Sequence, residues 1–319
     1  MRELTIGRND AGQRLDKFLS KALPGLPQSL MYKYIRLKKI KRNRARTAPN
    51  EQLAEGDILQ LFIRDEFFGM PEDDRGALDR IAPKLEICYE DENIMVLNTR
   101  PGVLVHQDEQ GGENTLILHI QAYLYNKGEY DPDAEQSFAP ALCNRIDRNT
   151  GGLVLAAKNA EALRVMNEKI RLGEIGKFYL CAVHGKPIPP KATLHGWLIK
   201  DSAANTVSVS DHRRPGAKEI LTRYRTLRTA GDAALLEVEL LTGRTHQIRA
   251  HLAHIGHPLL GDGKYGVNRD DRRRGYKYQA LYAYRLCFNF ADDGGPLAYL
   301  RGREVTLDPE QIWFVRDFS

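Results

Sequence analysis

The chain has 319 residues, 42% of them hydrophobic, and 47 basic against 42 acidic side chains give it a net charge of +5 at pH 7. This length suits two domains, or one large core with a small module, and the composition is ordinary for a globular protein. The sequence lacks both a signal-peptide core and an apolar run of membrane-spanning length, so we expect a cytoplasmic protein with no membrane partner.

The cysteines are too widely spaced for a disulfide framework or a thiolate zinc site, and no CxxC pair occurs. They are Cys88, Cys143, Cys181 and Cys287. Cys143 precedes the aspartate considered below, but no histidine base stands beside it in sequence. We therefore interpret it as a small buried residue, not a nucleophile.

A small α/β module is predicted over residues 12–64. Apolar residues recur at helical spacing over residues 15–23, prolines bound the break that follows, and Met31 and Ile35 give a second apolar face. Two short helices are therefore expected. Residues 33–46 then carry eight basic side chains and no acidic one. Such a run is usually a solvated face, but on the edge of a compact module it is typical of a surface that binds a phosphate backbone.

Several positions of this module match a known domain. Residues 14–16 read RLD, Asn43 stands at a turn, and residues 55–58 read EGDI ahead of a last strand. These positions resemble the S4-type RNA-binding domain, although Lys38 and Arg42 replace its usual glycine and apolar residue. The resemblance implies RNA as the partner. The residues expected to contact it are Lys33, Arg36, Lys39, Lys41, Arg42 and Arg44.

Residues 65–83 are predicted to be a linker, because residues 65–76 are acidic and broken by glycine and proline. We expect the small module to move relative to the rest of the chain. The sequence defines no docking site for Phe67 and Phe68.

Residues 84–319 are predicted to form one α+β domain with a mixed, mainly antiparallel sheet. The expected strands include residues 85–89, 94–97 and 234–240, and the expected helices are residues 114–125, a segment capped by Asn159, and residues 247–255. Alternating apolar and acidic residues predict that the third of these strands is half-buried.

Residues 144–152 read NRIDRNTGG and lead into an apolar run, which predicts a loop ahead of a fully buried strand. Its carboxylate, Asp147, lies between Arg145 and Arg148. These guanidinium groups should lower the pKa of Asp147 and keep it ionised, as a nucleophile or a charge stabiliser requires. An aspartate in this setting is more often a structural ion pair on a loop, so the pattern alone does not decide.

Three further segments follow in the chain. Residues 177–185 read KFYLCAVHG, residues 242–251 read TGRTHQIRAH and residues 257–266 read HPLLGDGKYG. Together with the segment of Asp147, they resemble the RluA-type pseudouridine synthases from about Leu85 to the C-terminus. The GRTHQIR block is the most specific of the matches.

Four positions depart from the pattern of that family. Asn144 and Gly151 replace a histidine and a serine of the aspartate motif. Thr99 and Arg100 replace a lysine-proline pair in a loop that otherwise keeps His106. We expect these departures to affect substrate preference more than chemistry.

The resemblance implies a pseudouridine synthase fold and an enzyme without a cofactor. Asp147 would be the nucleophile, either by adding to the sugar carbon or by assisting a glycal-type route, and the sequence does not choose between them. Arg249 would pair with Asp147, and Tyr179 would stack on the extruded uracil. Arg145 would fill the space that the base leaves or hold a phosphate.

Four histidines between residues 246 and 257 could suggest a metal, but no carboxylate or cysteine lies among them, so we expect no metal site. They are His246, His251, His254 and His257. The basic run at residues 269–277 is expected to be a surface loop that either touches RNA phosphates or is only solvated.

The expected function is isomerisation of uridine to pseudouridine in structured RNA, with 23S ribosomal RNA as substrate and transfer RNA as the alternative. A non-catalytic RNA-binding or ribosome-assembly factor is the alternative from another class. A glycoside hydrolase that uses Asp147 is disfavoured, because the matching segments offer no second carboxylate. We expect a monomer.

Overall fold

The computed structural model describes residues 1–68, 78–105, 115–201, 204 and 206–319, and these residues form two sheets. Residues 69–77 of the predicted linker, residue 114 of a predicted helix and His106 lie outside the described residues. No helix in the described ranges combines the length and the apolar character that crossing a membrane requires.

The smaller sheet is antiparallel and has the strand order β1-β4-β2-β3. Its strands are β1 (Arg2–Thr5), β2 (Ile40–Arg42), β3 (Ala45–Arg46) and β4 (Ile58–Leu61), and its helices are α1 (Leu15–Ala22) and α2 (Gln28–Arg36). The two predicted helices are confirmed. Because β1 pairs with β4, the module begins near residue 2 and not at the predicted residue 12.

The small module also holds the start of the predicted linker. Phe67 and Phe68 pack against its apolar core, and the ring of Phe67 lies edge-on to Tyr34 at 6.5 Å between centroids. The guanidinium of Arg2 lies 4.5 Å from the centre of the Phe68 ring. These contacts supply the docking site that the sequence did not define.

Direct hydrogen bonds join the small module to the large domain. The Asn9 amide donates to Glu135 at 2.6 Å, and the Gln13 amide donates to the Ser137 hydroxyl at 2.7 Å. Arg164 donates to a backbone carbonyl of the module at 2.9 Å. We expected a module that moves independently, but in this structure polar contacts hold it against the large domain.

The larger sheet contains eleven of the described strands, in the order β11-β10-β12-β13-β9-β14-β8-β6-β5, with β15 on β14 and β7 on β8. They are β5 (Glu86–Glu90), β6 (Ile94–Thr99), β7 (Ala141–Leu142), β8 (Gly151–Ala157), β9 (Ile175–His184), β10 (Lys191–Asp201), β11 (Thr206–Ser210), β12 (Lys218–Ala230), β13 (Ala233–Leu240), β14 (Leu281–Phe288) and β15 (Glu304–Thr306). All pairs are antiparallel except β8 with β14. The predicted α+β class with a mixed, mainly antiparallel sheet is confirmed.

Among the elements with described bounds, four α-helices accompany the larger sheet: α3 (Leu116–Asn126), α4 (Ala160–Arg171), α5 (Gln247–His254) and α6 (Arg269–Arg273). Strand β8 is buried along its whole length, as predicted. Leu153 and Leu155 face a core that includes α4, whereas Val154 and Ala156 face a core that includes α3. The predicted cap is confirmed, since the Asn159 side chain accepts from a backbone amide of α4 at 2.8 Å.

Strand β13 differs from its prediction because its first six residues are buried, so the strand is not half-buried. Glu237 is only 8% exposed, and its carboxylate accepts hydrogen bonds from Arg225 at 2.6 Å and from Tyr284. The alternation of acidic and apolar residues therefore reflects a paired buried charge and not a solvated face.

Candidate active site

The loop of Asp147 connects β7 to β8 and is fixed by backbone hydrogen bonds. The amide of Thr150 donates to the carbonyl of Asp147 at 2.8 Å, and the amide of Gly102 donates to the carbonyl of Arg148 at 2.8 Å. The loop ends at Gly152, whose φ of 115° is in a region that side chains disfavour. The close turn therefore delivers Asp147 at the N-terminal end of a buried strand.

Strand register brings Tyr179 to this loop. Ala283 on β14 pairs with Tyr179 of β9 on one side and with Gly152 of β8 on the other. A Cβ on Gly152 would overlap the carbonyl oxygen of Ala283, so only glycine allows the two strands to approach this closely. Gly152 and Tyr179, which are distant in sequence, thus lie on the two strands that flank β14, at the same height of the sheet.

Arg249 on α5 pairs with Asp147, as the resemblance implies. Its Nη1 donates to Oδ2 of Asp147 at 3.0 Å. The Arg249 side chain is 8% exposed, whereas that of Asp147 is 25% exposed. The carboxylate therefore reaches solvent while its cationic partner stays inside.

A second carboxylate, Asp262, holds Arg249 from behind. Nε and Nη2 of Arg249 donate to its two oxygens at 2.7 and 2.9 Å, and the backbone amide of Lys264 donates to it at 2.9 Å. Burial acts to raise the pKa of Asp262, but the hydrogen bonds and charge of Arg249 outweigh it and leave the pKa below its ordinary value. Asp262 therefore stays ionised and fixes the plane of the guanidinium.

His246 and Tyr265 complete the wall around Asp147. His246 has a left-handed backbone (φ 53°), and its Nε2 lies 3.9 Å from Oδ2 of Asp147. Its Nδ1 is 2.8 Å from the Tyr265 hydroxyl, and the guanidinium of Arg249 lies 5.2 Å from the centre of the Tyr265 ring. Burial lowers the pKa of His246 despite the neighbouring carboxylate, so the imidazole is neutral at pH 7.

Tyr179 is 6% exposed and belongs to an apolar cluster with Ile248 and Val238, against which Ile146 packs. Burial, and then the charge of Asp147, raise the pKa of the Tyr179 phenol. The phenol is therefore protonated at neutral pH and is unsuited to act as a base. Its stacking on the extruded uracil stays a prediction.

The two arginines that flank Asp147 in sequence do not pair with it. Arg145 and Arg148 are exposed, and the described contacts of the Asp147 carboxylate are with Arg249 and His246. The expected pairing of Asp147 with its two sequence neighbours is therefore not seen among the described contacts. Exposure leaves Arg145 accessible to a ligand.

The basic residues of the small module differ in their surroundings. Lys33, Arg36, Lys39 and Arg44 are exposed and Lys41 is half-buried. Arg42 instead pairs with Asp57 at 2.6 Å and donates to a backbone carbonyl at 3.0 Å. Its expected RNA contact would compete with this internal ion pair. Lys38 and Asn43 both have positive φ, a backbone conformation that glycine adopts most easily.

The histidines that could have suggested a metal have separate partners. His251 contacts the Thr222 hydroxyl at 3.0 Å, and His254 pairs with Asp211 at 2.9 Å. Nδ1 of His257 lies 2.9 Å from a backbone carbonyl oxygen. Within the described ranges no three metal-ligating side chains come together. As predicted, Cys143 is packed against the core, and burial raises the pKa of its thiol to about 12.

Sequence reasoning missed the roles of Asp262 and Tyr265. Both lie in the HPLLGDGKYG segment, which we used only as a match to the family pattern. The available signal was chemical: a buried arginine needs more than one acceptor, and Asp262 is the carboxylate nearest in sequence after α5.

The site thus combines a partly exposed carboxylate, a buried arginine that pairs with it and a buried tyrosine whose phenol feels the charge of that carboxylate. A sequence model described as RNA pseudouridylate synthase matches residues 93–254, and the chain belongs to this family. The predicted membership and the predicted enzyme class are therefore confirmed.

Curated relatives cover most of the chain. Ribosomal large subunit pseudouridine synthase C of Yersinia pestis is 31% identical over 297 residues, which span 90% of this chain and 87% of the relative. An uncharacterized RNA pseudouridine synthase of Mycoplasma genitalium is 31% identical over 290 residues, spanning 89% and 88%. The solved structure of human RNA pseudouridylate synthase domain containing 1 has a TM-score of 0.55 at 23% identity, covers 72% of this chain and 87% of its own, and shows the shared fold.

Proposed function

We propose that this enzyme converts uridine to pseudouridine in 23S ribosomal RNA, in the cytoplasm, with Asp147 as the nucleophile. The observation that carries the assignment of Asp147 is its geometry. Its carboxylate is partly exposed, is paired with a buried Arg249 that also pairs with Asp262, and lies close enough to Tyr179 for its charge to raise the pKa of that phenol. The ribosomal substrate is supported by relatives named ribosomal large subunit pseudouridine synthase C.

The reaction needs charge control at the sugar. The N1–C1′ bond breaks and uracil keeps the electron pair, the base turns, and C5 bonds to C1′. The proton on C5 is then lost, and N1 ends protonated. Asp147 either forms an ester bond to C1′ as uracil leaves and is displaced when C5 attacks, or takes the proton from C2′ as the C1′=C2′ bond of a glycal forms and returns it when C5 adds to C1′. Arg249 keeps the carboxylate aimed in both routes.

The small module at residues 2–64, with residues 65–83 as its connection, would act as an S4-like RNA-binding domain. Its support is the exposed basic surface of Lys33, Arg36, Lys39 and Arg44. Hydrogen bonds from Asn9 and Gln13 to the large domain would hold this surface at a fixed position relative to Asp147. Such a fixed second contact selects a structured RNA over a short single strand.

The central test is Asp147→Asn, which keeps the shape of the side chain and removes its charge. We expect pseudouridine formation to disappear while RNA affinity stays within a few fold, since the phosphate contacts lie elsewhere. Carbodiimide-based mapping of total RNA from cells that carry either form measures the first effect. Retention of modification by the variant would end the assignment of Asp147.

The same mapping identifies the substrate. A uridine in 23S RNA that is modified only when the wild-type gene is present supports the proposal, and a site confined to transfer RNA replaces the ribosomal substrate. Absence of any changed uridine with the wild-type gene would favour a non-catalytic RNA-binding factor.

A further inference from the structure

Lys177 lies on β9 two residues before Tyr179. Residues two apart on a strand project to the same face, roughly 7 Å from each other. The Lys177 ammonium therefore lies on the face that carries the Tyr179 ring. Its Nζ is 3.6 Å from the position that a Cβ on Gly243 would take, which places it against the loop leading to His246. Lys177 thus lies between the strand of Tyr179 and the loop that leads to His246.

Among the residues that the structure describes, this ammonium has no counterion. The Lys177 side chain makes no hydrogen bond, ion pair or ring contact with any of them, and burial lowers its pKa. Two other lysines with buried side chains are each paired with carboxylates: Lys158 with Glu90 at 2.9 Å and Lys169 with Glu174 at 2.8 Å. A partly buried cation costs stability unless it meets an anion. We therefore expect the substrate to supply the negative charge that pairs with Lys177.

The reaction supplies such a charge. When the N1–C1′ bond breaks, the detached uracil keeps the electron pair and carries negative charge over N1 and its two carbonyl oxygens. Arg249, the buried cation of the site, is already paired with two carboxylates. A free ammonium beside the stacking ring is thus available to a uracil oxygen.

We propose that Lys177 is a catalytic residue that stabilises the detached uracil anion through one of its carbonyl oxygens. This inference rests on the proposed function and adds to it the group that receives the leaving charge. A donor directed at developing charge acts mainly on the chemical step.

Lys177→Met removes the charge and keeps most of the side-chain volume. We expect kcat on the mapped RNA to fall about 100-fold, a typical loss for one donor to developing charge, with KM nearly unchanged. Lys177→Arg should recover part of the rate. The thermal midpoint of Lys177→Met should equal or exceed that of the wild type, because an unpaired charge is lost. Lys186→Met, at an exposed lysine after the same strand, is the matched control and should behave as the wild type.

A substrate with 5-fluorouridine at the target separates leaving-group stabilisation from phosphate binding. Fluorine stabilises the uracil anion, so the single-turnover loss caused by Lys177→Met should shrink at least several-fold when consumption of the fluorinated nucleoside is followed. An equal loss with both substrates overturns the proposal. So does a loss confined to RNA affinity with a shallower salt dependence, which indicates a phosphate contact, and so does a lowered thermal midpoint, which indicates a structural role.

The proposed function and this inference can fail separately. If the wild-type enzyme forms no pseudouridine, the proposed function fails. If the wild type is active, Asp147→Asn is inactive and Lys177→Met has wild-type kinetics, only the role of Lys177 fails.

Discussion

Asp262→Asn tests whether the ion pair between Asp262 and Arg249 is needed for the stability and activity of the site. The substitution keeps size and one acceptor but removes the charge that faces two guanidinium hydrogen bonds, at a position that is 1% exposed. Breaking a buried ion pair typically costs 3–5 kcal/mol. Arg249 keeps Asp147 as a partner, so we expect the lower end, about 3 kcal/mol of unfolding free energy.

For a domain of this size that loss corresponds to a decrease of about 6–12 °C in the thermal midpoint. The activity should also fall, on the order of 10–100-fold in kcat, because a guanidinium that is free to rotate no longer aims Asp147. Calorimetry and single-turnover pseudouridine formation measure the two effects. Asp270→Asn makes the same chemical change in an exposed ion pair and is the control.

The pH dependence of the stability difference gives a second measurement. Folding lowers the pKa of Asp262, so its charge stabilises the folded state above the ordinary aspartate pKa of about 3.9, and this contribution is lost as the pH falls below that value. The gap between the wild type and Asp262→Asn should therefore be full near pH 7 and shrink below about pH 4. The reasoning is refuted if Asp262→Asn and Asp270→Asn melt and react alike, or if the gap does not change with pH.

Three further predictions concern other parts of the chain. Gly152→Ala should lower the free energy of unfolding by at least about 3 kcal/mol, because its Cβ would overlap the neighbouring strand. Gly216→Ala, which is also at positive φ but has open space around it, should lower it by about 1 kcal/mol. Equal losses in equilibrium unfolding would exclude packing as the cause. Burial lowers the pKa of His251 to about 4, so between about pH 6.5 and pH 4 the unfolded chain binds a proton that the folded chain does not, and stability falls with the pH. In His251→Gln the thermal midpoint should therefore fall less steeply over this pH range than in the wild type. Arg36→Gln should reduce the slope of log affinity for RNA against log salt by about 1 without changing stability. Arg42→Gln should lower the free energy of unfolding by about 2 kcal/mol, because its internal ion pair is lost. A reduced salt slope with unchanged stability in Arg42→Gln would show that Arg42 faces the RNA.

The sequence was most informative where the physical cause is local. The buried strand after Asp147 was predictable because an uninterrupted apolar run can be covered on both faces only inside a core. The cap at Asn159 and helix α5 were predictable from residues within one turn. Arg249 and Tyr179 came from the family pattern, because periodicity does not tell which strands become neighbours.

The remainder of the site depends on contacts between distant segments. Pairing of β14 with both β8 and β9 brings Asp147 to Tyr179, and no local pattern encodes that register. Neighbours in sequence misled the interpretation of Asp147, since Arg145 and Arg148 face solvent while the cation comes from α5. A charge run likewise does not reveal that one of its members is paired internally, as Arg42 is with an aspartate of the same module.

Three of the four departures from the family pattern have structural explanations. Asn144, in place of histidine, accepts a hydrogen bond from the amide of Leu155 at 2.7 Å and so ties the loop to the buried strand. At Gly151 a Cβ would overlap the ring of Tyr282, so the glycine accommodates a large neighbour where the family has serine. Thr99 is buried and pairs with a residue of β8 in the sheet. None of these positions supplies a group that contacts the carboxylate of Asp147, so the substitutions adjust the support of the loop. Burying Arg249 and Asp262 costs stability and does not increase affinity for RNA. An RNA-binding factor that had lost catalysis would therefore not need an arginine paired with two carboxylates, one of which is exposed to solvent.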